Sequence, residues 1–206
     1  MRSMSLEWFG GFSCGDSSFA VIARKSSNSK IGFRIVTRLR WSQCGIPHTA
    51  GFWDADGSFV LRVAKEKSHR LGFSMSPQIK GTSYDDLIIA NIEKIFKEEK
   101  ITYSVSTDSS TREEFTITVT HLPSVKLVCE LLFPYLIGKK KIQCALFLQE
   151  IIPRLERAEH LTKEGFIELL ELRETISFTK KGNRKRYSAQ YFKELWDLTA
   201  ERGLVV

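Results

Sequence analysis

No stretch of this chain approaches the ~20 consecutive apolar residues that a membrane helix requires, and the opening Met1-Arg2-Ser3-Met4-Ser5 lacks the apolar block of a secretory signal. A soluble, intracellular protein without a membrane partner is expected. Cysteine is sparse. Cys14, Cys44, Cys129 and Cys144 stand far apart, with no Cys-x-x-Cys pair and no adjacent histidine, which argues for reduced structural thiols over a zinc site or a disulfide framework. His48, His69, His121 and His160 are scattered without ligand spacing, and their only expected use is phosphate contact. The chain also lacks a Gly-rich phosphate loop and a nucleophile elbow, which argues against nucleotide-driven and serine-hydrolase mechanisms.

What is present suits one globular unit, or one unit plus a fragment: 206 residues, of which 42% are hydrophobic. The net charge is +7 and the pI about 9.3, compatible with a polyanionic partner. Residues 1 to 46 carry seven Lys and Arg against two acids, a net of +5, while residues 47 to 206 carry 24 against 22. A second basic cluster comprises Lys180, Lys181, Arg184, Lys185 and Arg186. Either cluster would serve equally as a solvated face.

The most informative feature is an internal repeat. Thr49-Ala50-Gly51-Phe52-Trp53-Asp54-Ala55-Asp56-Gly57-Ser58-Phe59 is preceded, forty residues upstream, by a worn copy, Gly10-Gly11-Phe12-Ser13-Cys14-Gly15-Asp16-Ser17-Ser18-Phe19. Sliding the chain by 40 matches Gly11, Phe12, Asp16, Ser18, Phe19, Lys25, Gly32 and Phe33 with Gly51, Phe52, Asp56, Ser58, Phe59, Lys65, Gly72 and Phe73. One supersecondary unit is therefore expected twice.

Pro47 suits the first turn of a helix over residues 47 to 56, and Gly57 suits a left-handed position just past its end. Gly51 and Ala55, like Gly11 and Gly15, lie four apart on one face, where small residues let two helix backbones approach. Alternation follows: Phe59, Leu61 and Val63, then Phe73, Met75 and Ile79, read as the buried face of two strands. Their opposite face carries Arg62, Ser74, Ser76, Gln78 and Lys80. The first copy places Arg24, Arg34, Arg38 and Arg40 correspondingly. Arg, Lys, Gln and Ser on one sheet face are what phosphate contact and base-edge readout require, although many antiparallel sheets have one polar face in any case.

Residues 83 to 98 read as a helix opened by Ser83, with Leu87, Ile88, Ile92 and Phe96 on one face. A second hairpin turns Tyr103, Val105, Phe115, Ile117 and Val119 inward and Ser104, Ser106, Thr116 and Thr118 outward. Helices are expected over about 122 to 133, 139 to 153 and 162 to 175, then an amphipathic piece with Tyr191, Phe192, Leu195 and Trp196.

The segment Ala50 to Gly57, continued by Ser58-Phe59 and a hairpin, resembles the signature helix of the LAGLIDADG homing endonucleases. These are metal-dependent enzymes that cut long DNA sites to spread the introns or inteins encoding them. The resemblance extends from about residue 6 to about residue 195. It implies an α+β fold, an αββαββα unit with a curved four-stranded antiparallel sheet backed by helices, at residues 47 to 206. Residues 1 to 46 would be a partial first repeat, a helix plus a hairpin.

In such enzymes the last acid of the motif binds the metal. That implies Mg²⁺ at Asp56, with Asp16 in the equivalent place of the first copy and Gly57 beside Asp56. An acid at a helix C-terminus opposes the macrodipole, so a cation nearby is a natural compensation. Asp54, whose counterpart in the first copy is Cys14, would face the helix interface or cap structure. Leu136-Ile137-Gly138-Lys139-Lys140-Lys141 resembles the segment whose lysine lies near the scissile phosphate, which points to Lys140 and then Lys139. The same lysines would also make a plain basic first turn. Gln43 resembles the polar residue that closes the second strand near the metal.

The resemblance implies a site-specific double-strand DNA endonuclease; the alternative is a nucleic-acid-binding intron maturase, or a degenerate relative, contacting intron RNA. One motif helix needs another against it, so a homodimer through residues 47 to 57 is expected, with a pseudo-dimeric monomer pairing Asp16 and Asp56 as the runner-up. Family habit points to a mitochondrion or chloroplast.

Overall fold

The computed structural model describes residues 20–25, 33–38, 45–109, 113–176 and 187–201. In chain order these form β1 (Ala20–Lys25), β2 (Phe33–Arg38), α1 (Ile46–Asp56), β3 (Gly57–Lys65), β4 (Phe73–Ser83), α2 (Asp86–Glu98), β5 (Ser104–Asp108), β6 (Glu114–Val119), α3 (Leu122–Leu132) and α4 (Gly138–Leu146). The last of these runs through a π turn, Phe147–Ile151, into α5 (Ile152–Glu156). A 3₁₀ turn, Glu159–Leu161, then leads to α6 (Lys163–Ile176) and α7 (Ala189–Glu201). The fold is α+β, and none of these described helices is long and apolar enough to cross a membrane.

Helix α1 starts as expected. Pro47 sits in its first turn, and both the amide and the hydroxyl of Thr49 donate to the Gly45 carbonyl. Its end is different. Gly57 is not left-handed but extended, with φ −75° and ψ 157°, so the chain passes from helix straight into β3. Glycine is required there for space: an added Cβ would lie 2.5 Å from the Trp53 carbonyl oxygen and 2.6 Å from Trp53 Cγ. Gly57 pairs with Gly81 across the ladder, and a Cβ on Gly81 would lie 2.6 Å from Phe52 Cε1. These two glycines let the fully buried Phe52 and Trp53 rest directly on the sheet backbone.

The four strands β3-β4-β6-β5 are antiparallel throughout. Phe59, Leu61, Met75, Ile79, Ile117 and Val119 are buried under the helices, following the period of two. Strand β4 runs past the expected residue 80, so Ser83 closes a strand instead of opening a helix. Buried Ser83 accepts from the Asp85 amide, and Asp85 caps α2 by accepting from the Leu87 amide at 3.0 Å. Leu87, expected in the core, is 59% exposed, while Ile88, Ile89, Ile92, Ile95 and Phe96 are buried. Its face of the helix continues through Asn91 and Lys94, so the apolar stripe is displaced by one residue.

The helix expected to end at residue 153 continues to Glu156. Pro153 lacks an N–H, and its ring would strike the Gln149 carbonyl of a regular helix. The wide turn just before it, closed by Ile152 N–H donating to the Phe147 carbonyl, accommodates both. At the C-terminal end Phe192 packs edge-on against Phe73 at 4.8 Å and Phe166 at 5.0 Å, with Trp196 at 5.1 Å, fastening α7 to the outer end of the β3–β4 hairpin. Tyr191, at the edge of this cluster, stays partly exposed. Cys129 and Cys144 are buried free thiols; burial pushes the Cys129 thiol well up and keeps it protonated.

The repeat is visible in the hydrogen-bond ladder. β1 pairs with β2 in the register Ala20↔Arg38, Arg24↔Arg34 and Lys25↔Phe33; adding forty to each gives Val60↔Gln78, Ala64↔Ser74 and Lys65↔Phe73 of β3–β4. The expected Asp16, Arg40 and Gln43, with Gly11, Cys14, Gly15 and the 180–186 basic cluster, lie outside the described residues.

Gly81→Ala is expected to lower the unfolding free energy by about 1–3 kcal/mol, because the ring it meets is fully enclosed and cannot yield. Urea denaturation against the parent protein measures this; an unchanged midpoint would show that helix α1 does not seat on this backbone.

Candidate functional site

The outward face of the sheet is built by ladder register. Ser58, Lys80, Thr118 and Ser104 form one row across all four strands, and Thr82, Thr116 and Ser106 form the next. The hydroxyls of Thr82 and Thr116 stand 3.3 Å apart. Towards the hairpin tip the cross-strand pairs are Val60 with Gln78, Arg62 with Ser76 and Ala64 with Ser74. The sequence-derived set Arg62, Ser74, Ser76, Gln78, Lys80, Ser104, Thr116 and Thr118 thus shares one face of one sheet. Ser106, also expected outward, joins them, and Ser58 and Thr82 belong with them and had the same parity to announce them. In the first hairpin the register sets Arg24 opposite Arg34 and places Arg38 opposite Ala20.

At the end of α1 a charged cluster forms. Asp56, the last residue of the helix, is exposed, and Asp54 is half-buried. The Ile137 amide donates to Asp54 Oδ2 at 2.9 Å. Ile137 precedes Gly138, whose φ of 55° is the left-handed conformation expected at Gly57. This turn launches α4 with its three lysines. Lys140 Nζ donates to the Gly57 carbonyl oxygen. Burial pulls the Lys140 ammonium below the usual lysine range, opposed by the negative charges of Asp54 and Asp56. Lys141 turns instead to the Phe133 ring, 5.0 Å from its centroid, and Lys139 is exposed. The segment resemblance pointed to Lys140 before Lys139, and Lys140 is the lysine that reaches the Gly57 carbonyl.

The donors at this helix end are hard oxygens, the Asp56 carboxylate and the Gly57 carbonyl. Among the described residues no group of three or more His, Cys, Asp or Glu could hold a metal. This set suits Mg²⁺, which is commonly held by one or two carboxylates while waters and substrate phosphate oxygens complete its shell. It does not suit zinc.

The middle of helix α1 is buried: His48, Thr49, Ala50, Gly51, Phe52 and Trp53 are all buried, while Asp54 and Ala55 are half-buried and Asp56 is exposed. Six consecutive residues cover every side of a helix. Burial lowers the pKa of His48 and so favours its neutral form.

The sequence profile of the LAGLIDADG endonuclease family matches residues 49–151. Among curated proteins nothing matches the chain. Solved structures of similar fold include the homing endonuclease I-CvuI in complex with the I-CreI target in the presence of Mg, with 23% identity and a TM-score of 0.61 over 76% of this chain and 93% of that one. The archaeal intron-encoded homing endonuclease I-Vdi141I, complexed with DNA, has 19% identity and a TM-score of 0.60 over 74% and 96%. The LAGLIDADG homing endonuclease I-LtrWI, bound to target DNA, has 22% identity and a TM-score of 0.58 over 73% of this chain but 48% of that one. At these identities the likeness is one of fold.

Asp54→Ala removes the acceptor for the Ile137 amide and is expected to cost about 0.5–2 kcal/mol, the range for a lost N-terminal cap. Chemical denaturation of the two proteins side by side measures it, and equal stabilities would mean that water serves Ile137 as well as Asp54 does.

Proposed function

Because this chain belongs to the LAGLIDADG endonuclease family, we propose that it is a site-specific DNA endonuclease that hydrolyses phosphodiester bonds in both strands of a long target with a divalent metal at Asp56. The observation that carries this reading is the convergence of Asp56, the Gly57 carbonyl and the Lys140 ammonium at one helix end, beside the row Ser58, Lys80, Thr118 and Ser104.

Each part has a chemical task. The polar sheet face meets the duplex, with Arg62 and Lys80 offering charge to phosphates and the Gln78, Ser and Thr side chains offering hydrogen bonds to base edges. Mg²⁺, when bound by Asp56 and the Gly57 carbonyl, would supply a water nucleophile and Lewis-acid relief of charge on the leaving oxygen. Lys140 would stabilise the anion that develops at the scissile phosphate, being the lysine held at this helix end. Asp54, through the Ile137 amide, keeps the start of α4 in place and so positions Lys140.

The enclosure of α1 bears on assembly. His48 to Trp53 are already buried in the single chain. This supports the reading in which one chain carries both motif copies, with Asp16 serving opposite Asp56, over the homodimer.

Asp56→Asn should abolish cleavage of a site recovered from a randomised DNA library in Mg²⁺ while leaving binding to that site within a few fold. Retained cleavage would remove Asp56 from the chemistry, and retention of RNA without cutting of DNA would point to a maturase. Sedimentation velocity is expected to give a species of 23.6 kDa cutting an asymmetric site; a species of twice that mass on a palindromic site would restore the homodimer.

A further inference from the structure

We propose that the Lys140 ammonium is the resident cation of this site in the free protein, and that a divalent metal reaches the Gly57 carbonyl only when bound DNA has drawn Lys140 away. The inference rests on the assignment of Asp56 and Gly57 as metal-side donors. Lys140 Nζ hydrogen-bonds the very carbonyl oxygen which that assignment gives to the metal. An ammonium and a dication at one carbonyl oxygen repel each other strongly, all the more where burial has lowered the local dielectric. The two therefore compete for the position.

The cluster is suited to hold either occupant. The Gly57 carbonyl oxygen lies just past the negative end of the α1 dipole, and the carboxylates of Asp54 and Asp56 add to the field, so the position calls for a cation in every state. Lysine can fill it reversibly, because its charge sits on a flexible four-carbon stem. The Asp54 bond to the Ile137 amide anchors the helix start, so the side chain can swing while α4 stays in place. A phosphate beside Ser58, the residue following Gly57, would offer the ammonium a stronger partner than a carbonyl does. Metal loading would then depend on DNA, and the free enzyme would carry little metal with which to cut non-specifically.

Ca²⁺ binding to the DNA-free protein, followed by titration calorimetry, tests this with wild type, Lys140→Met and the Asp56→Asn/Lys140→Met pair. Lys140→Met is expected to bind Ca²⁺ about tenfold or more tightly than wild type, since the competing charge is gone. Addition of Asp56→Asn should remove the gain. Equal affinity in wild type and Lys140→Met, or no binding to Lys140→Met, overturns the proposal. If Lys140→Met does not unfold cooperatively, Lys140→Gln provides the same comparison, because its amide still bonds the carbonyl without the charge. The cleavage assay of Asp56→Asn judges the metal reading separately, so either can fail while the other stands.

Discussion

Direct contact between the motif helix and the sheet backbone is the constraint on which the other features depend. Phe52 and Trp53 lie against the ladder where Gly57 faces Gly81, and any side chain at either position would push helix and sheet apart. Because the helix is seated this closely, it can continue into β3 without a turn. Asp56 is thereby delivered to the rim of the polar sheet face, and the Gly57 carbonyl is left pointing at the start of α4. In this chain the placing of the motif's acids therefore relies on a bulky aromatic pair and on the two glycines that admit it.

The helix end then becomes an electrostatic problem. A carboxylate at a helix C-terminus, a second one two residues before it and an outward carbonyl accumulate negative character that needs a counter-charge. The chain supplies Lys140 at the cost of partly dehydrating it. That arrangement puts the ammonium on the carbonyl that the proposed function gives to the metal. The same Asp54 that adds to the negative field also holds the lysine-bearing helix, so charge and position are supplied by one side chain.

Much of this was legible in the residues. The period of two in 59 to 65, 73 to 80 and 115 to 119 identified the buried face of β3, β4 and β6, whereas Val105, expected inward, is 40% exposed on an edge strand that is exposed throughout. The forty-residue offset reappeared as an identical pairing register in β1–β2 and β3–β4. Other readings failed for local reasons. Gly57 suited a left-handed cap by type, but its role is steric and depends on an indole that no short-range pattern positions. Ser83 resembles a helix cap in sequence, yet the ladder to β6 extends through it and leaves Asp85 to cap. Leu87 is apolar, but its place on the helix circumference puts it among polar neighbours.

The sequence by itself determined most element types, the alternation that makes one face of β3, β4 and β6 polar, and the acidic motif, because each depends on side chains near one another along the chain. The tertiary structure alone decided that the Lys140 ammonium meets the Gly57 carbonyl, that Asp54 accepts from the Ile137 amide, and that residues 48 to 53 of the motif helix are buried. Residues 54 and 137 are far apart in sequence, and no local propensity encodes their meeting. It follows from how closely α1 can sit on the sheet and from the direction in which α4 leaves the Gly138 turn, both properties of packing in three dimensions.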